Sequence, residues 1–159
     1  MARALVLGVG NILMQDEGIG VRTVEWLQAH CSSTNVEMLD GGTMGLDLLH
    51  YLQGIDHLLI LDAVESGNPP GKITTLTGED LPAFLGMKIS PHQIGVQDLL
   101  ATAQLMGYTP PEVMILGVQP HWLNVGLELS PAVIIQIEPL ARLALLQLKK
   151  WGYQIDLKN

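Results

Sequence analysis

Arg3-Ala4-Leu5-Val6-Leu7-Gly8-Val9-Gly10-Asn11 is the stretch on which the fold turns. Its apolar residues run on without a polar partner at every second position, so residues 3–9 read as a strand buried on both faces. Such a strand needs a layer of other elements on each side. The first follows at residues 19–30, where Val21, Val24 and Leu27 recur at three-residue spacing, the mark of an amphipathic helix.

Further along, residues 36–39 read as a second strand and 46–52 as a short helix. Residues 57–63, centred on Leu58-Leu59-Ile60-Leu61, read as a third buried strand. Ile73, Thr74 and Thr75 favour an edge strand over 72–77. Residues 95–106 carry Val96, Leu99, Leu100 and Ala103 on one helical face, and 113–118 form a further buried strand. A last helix starts at Pro131 after Ser130 as N-cap, with Ile134, Ile137, Ala141, Ala144 and Leu148 along its apolar side. Ser66-Gly67-Asn68-Pro69-Pro70-Gly71 is a surface loop. This alternation predicts an α/β protein: a single three-layer α/β/α domain over residues 1–159. Its sheet of about five strands is twisted and mostly parallel, with one antiparallel edge strand. Ligands of such a sheet sit beyond the C-terminal ends of its strands.

Composition narrows the function. At 159 residues, 48% of them hydrophobic, the chain can bury one substantial core and is too short for two ordinary domains. Eight Lys and Arg against 16 Asp and Glu give a net charge of −8, which argues against nucleic acid or an anionic membrane as partner. Mean hydropathy is +0.30, yet Gly, Asp, His or Pro interrupts each apolar run before a spanning length of roughly 20 residues, so no membrane segment is expected. The start of the chain lacks a long apolar stretch with a small-residue cleavage site, and a cytoplasmic location is the expectation. Cys31, the single cysteine, is read as a small buried apolar residue.

The glycines after the first strand imitate a dinucleotide fingerprint, but its third glycine falls on Leu13. Asp16-Glu17 would also stand where a phosphate approaches the helix N-terminus, which disfavours nucleotide binding. On local grounds Asp16 caps backbone N–H groups and Glu17 complements the helix dipole. Asp40 and Asp62 each end an apolar strand, a costly place for an acid unless it is paired, liganded or exposed; functional use and capping of the next element both account for them. Of five histidines, His30, His50, His57 and His121 read as structural, whereas His92 follows Pro91 in a loop between elements, where binding residues concentrate. Glu17, Asp62 and His92, if brought together, would offer two carboxylates and an imidazole, a set suited to Ni, Zn, Fe or Co. No Gly-x-Ser-x-Gly elbow, His-Glu-x-x-His helix or phosphate loop is present.

Gly8-Val9-Gly10-Asn11-Ile12-Leu13-Met14-Gln15-Asp16-Glu17-Gly18-Ile19-Gly20-Val21 resembles the opening block of the hydrogenase maturation proteases. Leu39-Asp40-Gly41-Gly42-Thr43, Asp62-Ala63, Ser90-Pro91-His92-Gln93 and Leu116-Gly117-Val118-Gln119-Pro120 continue the resemblance in order over nearly the whole chain. It implies a cytoplasmic endopeptidase that removes the C-terminal extension from the large subunit precursor of [NiFe]-hydrogenase once nickel is installed. It assigns metal binding to Glu17, Asp62 and His92, and catalytic roles to Asp40, Glu17 and Asp62. The nickel would be the substrate's, read by the site as a recognition element, although other divalent metals can occupy such donors. The aspartic-type label of that family meets no Asp-Thr-Gly pairing here. His121-Trp122 lies outside the resemblance and is a candidate for substrate choice. The competing readings are a non-catalytic nickel carrier and a small-molecule hydrolase or nucleotide-binding module on the same fold.

Overall fold

The computed structural model describes residues 1–80, 83 and 94–158. Strand β1 (Ala4–Val9) leads through a 3-10 turn (Gln15–Gly18) into helix α1 (Ile19–His30). After β2 (Cys31–Ser32) come β3 (Val36–Gly42), a 3-10 turn (Gly45–Leu48), α2 (Leu49–Leu52), β4 (His57–Ala63) and β5 (Ile73–Leu76). Helix α3 (Ile94–Met106) precedes β6 (Glu112–Val118), and α4 (Pro131–Ile134), α5 (Ile137–Lys150) and β7 (Asp156–Leu157) complete the chain.

The main sheet has five strands in the order β3-β1-β4-β6-β5. All neighbours are parallel except β5, which runs antiparallel to β6 at the edge. The two-residue period of the strands sorts their apolar side chains into two cores. Ala4, Val6, Leu59, Leu61, Leu116 and Val118 pack with α1 and α5; Leu5, Leu7, Leu58, Ile60, Val113 and Ile115 pack with α2 and α3. Both faces of β1 and β4 are therefore covered, as their unbroken apolar runs require. Each such Leu, Val or Ile contributes about 1.5–3 kcal/mol by leaving water. Cys31 belongs to the first of these cores and is 2% exposed.

The chain moves from β1 to β3 on one side, then crosses back so that β4 and β6 lie on the other. The connections leaving β1 and β4 thus diverge, and a crevice opens between their C-terminal ends. Helix α1 can lie close over this crevice because Gly20 has no side chain: a Cβ there would stand 2.0 Å from the Leu61 carbonyl oxygen.

The C-terminal helix differs from the sequence expectation. It is broken at Ile135 and Gln136, because Pro139 has no N–H to donate to the Ile135 carbonyl and its ring would strike that group; a restart puts Pro139 in the first turn of α5. Ser130 forms no side-chain cap, and Ile134, expected on the apolar side, is 52% exposed. Residues Pro131–Lys150 have the length and hydropathy of a membrane span, contrary to the expectation that no run reaches it. Leu140, Ala141, Ala144 and Leu148, however, are fully covered in the core beneath α5, the position of a core helix. The small antiparallel sheet of β2 and β7 was also absent from the sequence reading, and it ties the C-terminus to the end of α1.

Gly20→Ala is expected to lower unfolding stability by about 3 kcal/mol, since backbone must move to admit the methyl group. Gly78, with nothing near its missing Cβ, is the control. Urea midpoints at constant m-value measure both, and equal midpoints for Gly20→Ala and parent would refute the close packing of α1 on β4.

Candidate functional site

Past β1 the chain turns sharply at Gly10, whose φ of 122° and whose approach to the Glu17 carbonyl, 1.9 Å from a built Cβ, admit only glycine. Asn11 closes the next turn. Its side-chain oxygen accepts from the Leu13 N–H at 2.9 Å and its carbonyl from the Met14 N–H at 3.0 Å. Its own N–H donates to Glu17 Oε1 at 3.1 Å. Gln15 sits in the left-handed region at φ 52°, a conformation that side chains other than glycine rarely adopt.

Asp16 and Glu17 face different surroundings. The Asp16 carboxyl, fully covered, accepts at Oδ2 from the His121 and Trp122 N–H groups, both at 2.8 Å, and from the Ser130 hydroxyl at 2.7 Å. Its Oδ1 accepts from the Ser130 N–H at 2.7 Å. The capping role expected of Asp16 is thus replaced by a long-range one: it fastens residues 121–130. Glu17, in the 3-10 turn ahead of α1, is 5% exposed and lies on the wall of a cavity, where the Asn11 N–H holds it.

That cavity, about 270 Å³, occupies the crevice beyond β1 and β4. Glu17 and Asp62 share its polar wall with Asn11, while Val9, Leu48, Val96 and Leu99 supply an apolar one and Thr43 a hydroxyl. Asp62 is the penultimate residue of β4, 4% exposed, accepting from the Ala63 N–H at 2.8 Å. Burial pushes its carboxyl well above the ordinary 3.8; the Ala63 N–H pulls the other way, and the neighbouring Glu17 charge raises it further. The two acids therefore share one electrostatic environment.

Asp40 is placed differently. Strand β3 runs through it to Gly42, beyond the expected end at residue 39, and Asp40 pairs in register with Gly8 while its side chain is exposed. It does not line the cavity, although Gly42, two residues on, does. His92 and the rest of the Ser90-Pro91-His92-Gln93 block lie outside the described residues. Gly95 and Val96, in the first turn of α3, reach the cavity wall. Among the described residues, no three His, Cys, Asp or Glu side chains converge as a metal-holding group.

Gln119 had no role in the sequence reading, yet it shapes the rim of this end of the sheet. Buried at the end of β6, it accepts at Oε1 from the Ser66 and Asn68 N–H groups at 2.8 and 3.3 Å and so orders the loop after β4. The available signal was a polar residue directly after an apolar strand. The apolar wall was legible only as core, because Leu48, Val96 and Leu99 serve both purposes.

Comparison with known proteins identifies the family and the fold. The hydrogenase maturation protease family model matches residues 21–147. The hydrogenase 2 maturation protease of Escherichia coli (strain K12) is 44% identical over 154 residues, covering 96% of this chain and 94% of that protein. The hydrogenase expression/formation protein HupD of Rhodobacter capsulatus is 47% identical over 156 residues, covering 96% of this chain and 74% of the relative. Among solved structures, the hydrogenase maturating endopeptidase HybD from E. coli superposes with a TM-score of 0.91 at 42% identity over 98% of both chains. Sequence and fold together show that the chain belongs to the hydrogenase maturation protease family, peptidases of hydrogenase processing.

Proposed function

We propose that this peptidase cleaves the C-terminal extension from the nickel-loaded large subunit precursor of a [NiFe]-hydrogenase, and that it reads the substrate's nickel through Glu17, Asp62 and His92. The observation that carries this reading is the burial of Glu17 and Asp62 on one wall of one cavity at the switch point of the sheet. The Glu17 charge adds to the cost of ionising buried Asp62, and a cation between the two acids would remove that cost. Carboxylate oxygens with an imidazole nitrogen suit nickel, and family membership brings the hydrogenase substrate. When bound, the substrate's nickel supplies positive charge that both acids can face and a fixed point for the chain end beside it.

The chain's own groups then divide the work. Asn11 orients Glu17 through its N–H, and the Ala63 N–H orients Asp62. The apolar wall of Val9, Leu48, Val96 and Leu99 excludes water from one side of the peptide. Asp40, exposed at the end of β3 two residues before the cavity-lining Gly42, is assigned in this reading to assist water at the scissile bond. An aspartic-type assignment rests on this residue together with Asp62. A cytoplasmic setting, where the precursor would meet the enzyme before assembly, belongs to the same proposal.

The deciding experiment mixes the protein with precursor, loaded with nickel or empty, and follows the precursor's C-terminus by intact mass spectrometry. Loss of one defined peptide from the loaded form alone is the expected result. An uncut loaded precursor would favour the nickel carrier, and cutting of the empty form would remove nickel from recognition. Glu17→Gln, Asp62→Asn and His92→Ala should each slow processing by at least about tenfold, as loss of a ligand-shell group does. Asp40→Asn should slow it by about 100-fold with docking retained, the scale of a lost general base; lost docking would move Asp40 to recognition.

Asp62 also sets a pH dependence in the metal-free protein. Its folded value is raised above the unfolded one, so between the two the native state holds more protons and stability falls as pH rises. Below the unfolded value, near 3.8, no penalty exists; above the raised folded value the penalty is complete. Asp62→Asn should therefore raise the urea midpoint at neutral pH, the gain shrinking toward acid. No gain at neutral pH would contradict the buried, desolvated setting of this carboxyl.

A further inference from the structure

Residues 121–130 form a surface segment without helix or named strand, yet they are fastened unusually firmly. Beyond the four bonds to the Asp16 carboxyl, the Asp16 N–H donates to the Trp122 carbonyl at 3.0 Å and the Gln15 N–H to the Gly126 carbonyl at 3.0 Å. The Gly126 N–H donates to Leu13 at 2.8 Å, and Gln15 Oε1 accepts from the Asn124 N–H at 3.3 Å. Gln15 adopts its left-handed conformation within this set of contacts, and its side chain lies against Gly126.

What the strap presents to solvent is largely apolar, with His121, Asn124 and Glu128 exposed among it. Val125 is 85% exposed, Leu127 60%, Trp122 36%, and Leu13 of the anchoring loop 57%. In a chain of net charge −8, residues 121–130 contain one carboxylate, Glu128. Aromatic and aliphatic exposure with few charges is the composition of an interface core. A loop held in place beforehand also loses little freedom on binding, which favours affinity.

We infer that this strap is the docking surface for the folded precursor, covering the part of it that flanks the scissile chain end. The inference rests on the protease reading above and names where the rest of that substrate lies. The occupant follows from position. Asp16, bonded to Trp122, is the residue before Glu17, and the Met14–Gly126 bridge joins the strap to the same loop whose Asn11 and Glu17 line the cavity. A folded partner covers about 800 Å², a disc roughly 16 Å in radius, and one whose chain end enters the cavity must lie over this ground.

Val125→Asp with Leu127→Asp tests the surface, and Leu105→Asp, 89% exposed at the far end of α3, is the control. The strap pair is expected to raise KM for nickel-loaded precursor about tenfold, with kcat at saturation and the urea midpoint unchanged, while the control alters neither constant. Val125→Ser with Leu127→Ser serves if the charges shift the midpoint. An unchanged KM overturns the proposal, as does a fall in kcat alone, which would assign the strap to chemistry. A concentration-dependent dimer that the strap pair dissolves without change in KM would make the occupant a second copy and overturn it too. Parent protein that leaves loaded precursor uncut defeats the protease reading, and the docking assignment with it; normal cleavage by parent with unchanged KM in the variants defeats the docking assignment alone.

Discussion

The four hydrogen bonds that converge on the Asp16 carboxyl join two regions more than a hundred residues apart. A carboxyl so fully covered would be expensive without partners, and hydrogen bonds to charged groups contribute roughly 1.5–3 kcal/mol each. The consequence reaches in both directions along the chain. On one side the Gln15–Gly18 turn is fixed, so Glu17 faces the cavity. On the other, Ser130 is held through both N–H and hydroxyl just where α4 begins, and this sets the approach of the C-terminal helices to α1.

Against this rigid frame the cavity keeps its tension. Glu17 and Asp62 are both buried on the cavity wall, and burial holds Asp62 well above the usual carboxyl range. A structural core would not retain such a pair, since replacing either acid by an apolar residue would relieve desolvation. Its position at the sheet's switch point is where ligands of such sheets sit. Apolar residues line the same space, so it offers an incoming chain end both polar and apolar surface.

Much of this was legible before any coordinates. Strand β4 and helix α1 match residues 57–63 and 19–30 as read from their apolar patterns, because two-sided burial leaves an unbroken apolar run and one-sided burial of a helix a period near 3.6, both visible in one dimension. The edge position of β5 was signalled by Ile73, Thr74 and Thr75. The break before Pro139, the Asp16 bonds and the role of Gln119 were not, since each depends on which distant backbone group comes within 3 Å. Ser130 shows this well: its place before Pro131 marks an N-cap locally, but the hydroxyl turns to Asp16 instead.

The sequence by itself determined the order and type of the five main-sheet strands and the principal helices between them, the two-sided burial of the sheet, and, through its motifs, the family. Those properties follow from side-chain chemistry repeated along the chain, where neighbours in sequence are neighbours in space. Only the tertiary structure decided that Glu17 and Asp62 share a wall, that Asp40 stands outside the cavity, and that residues 121–130 are a fastened apolar strap. Each of these concerns groups tens to more than a hundred residues apart, and their energies turn on a few ångström of distance and on exclusion of water, which no local pattern records.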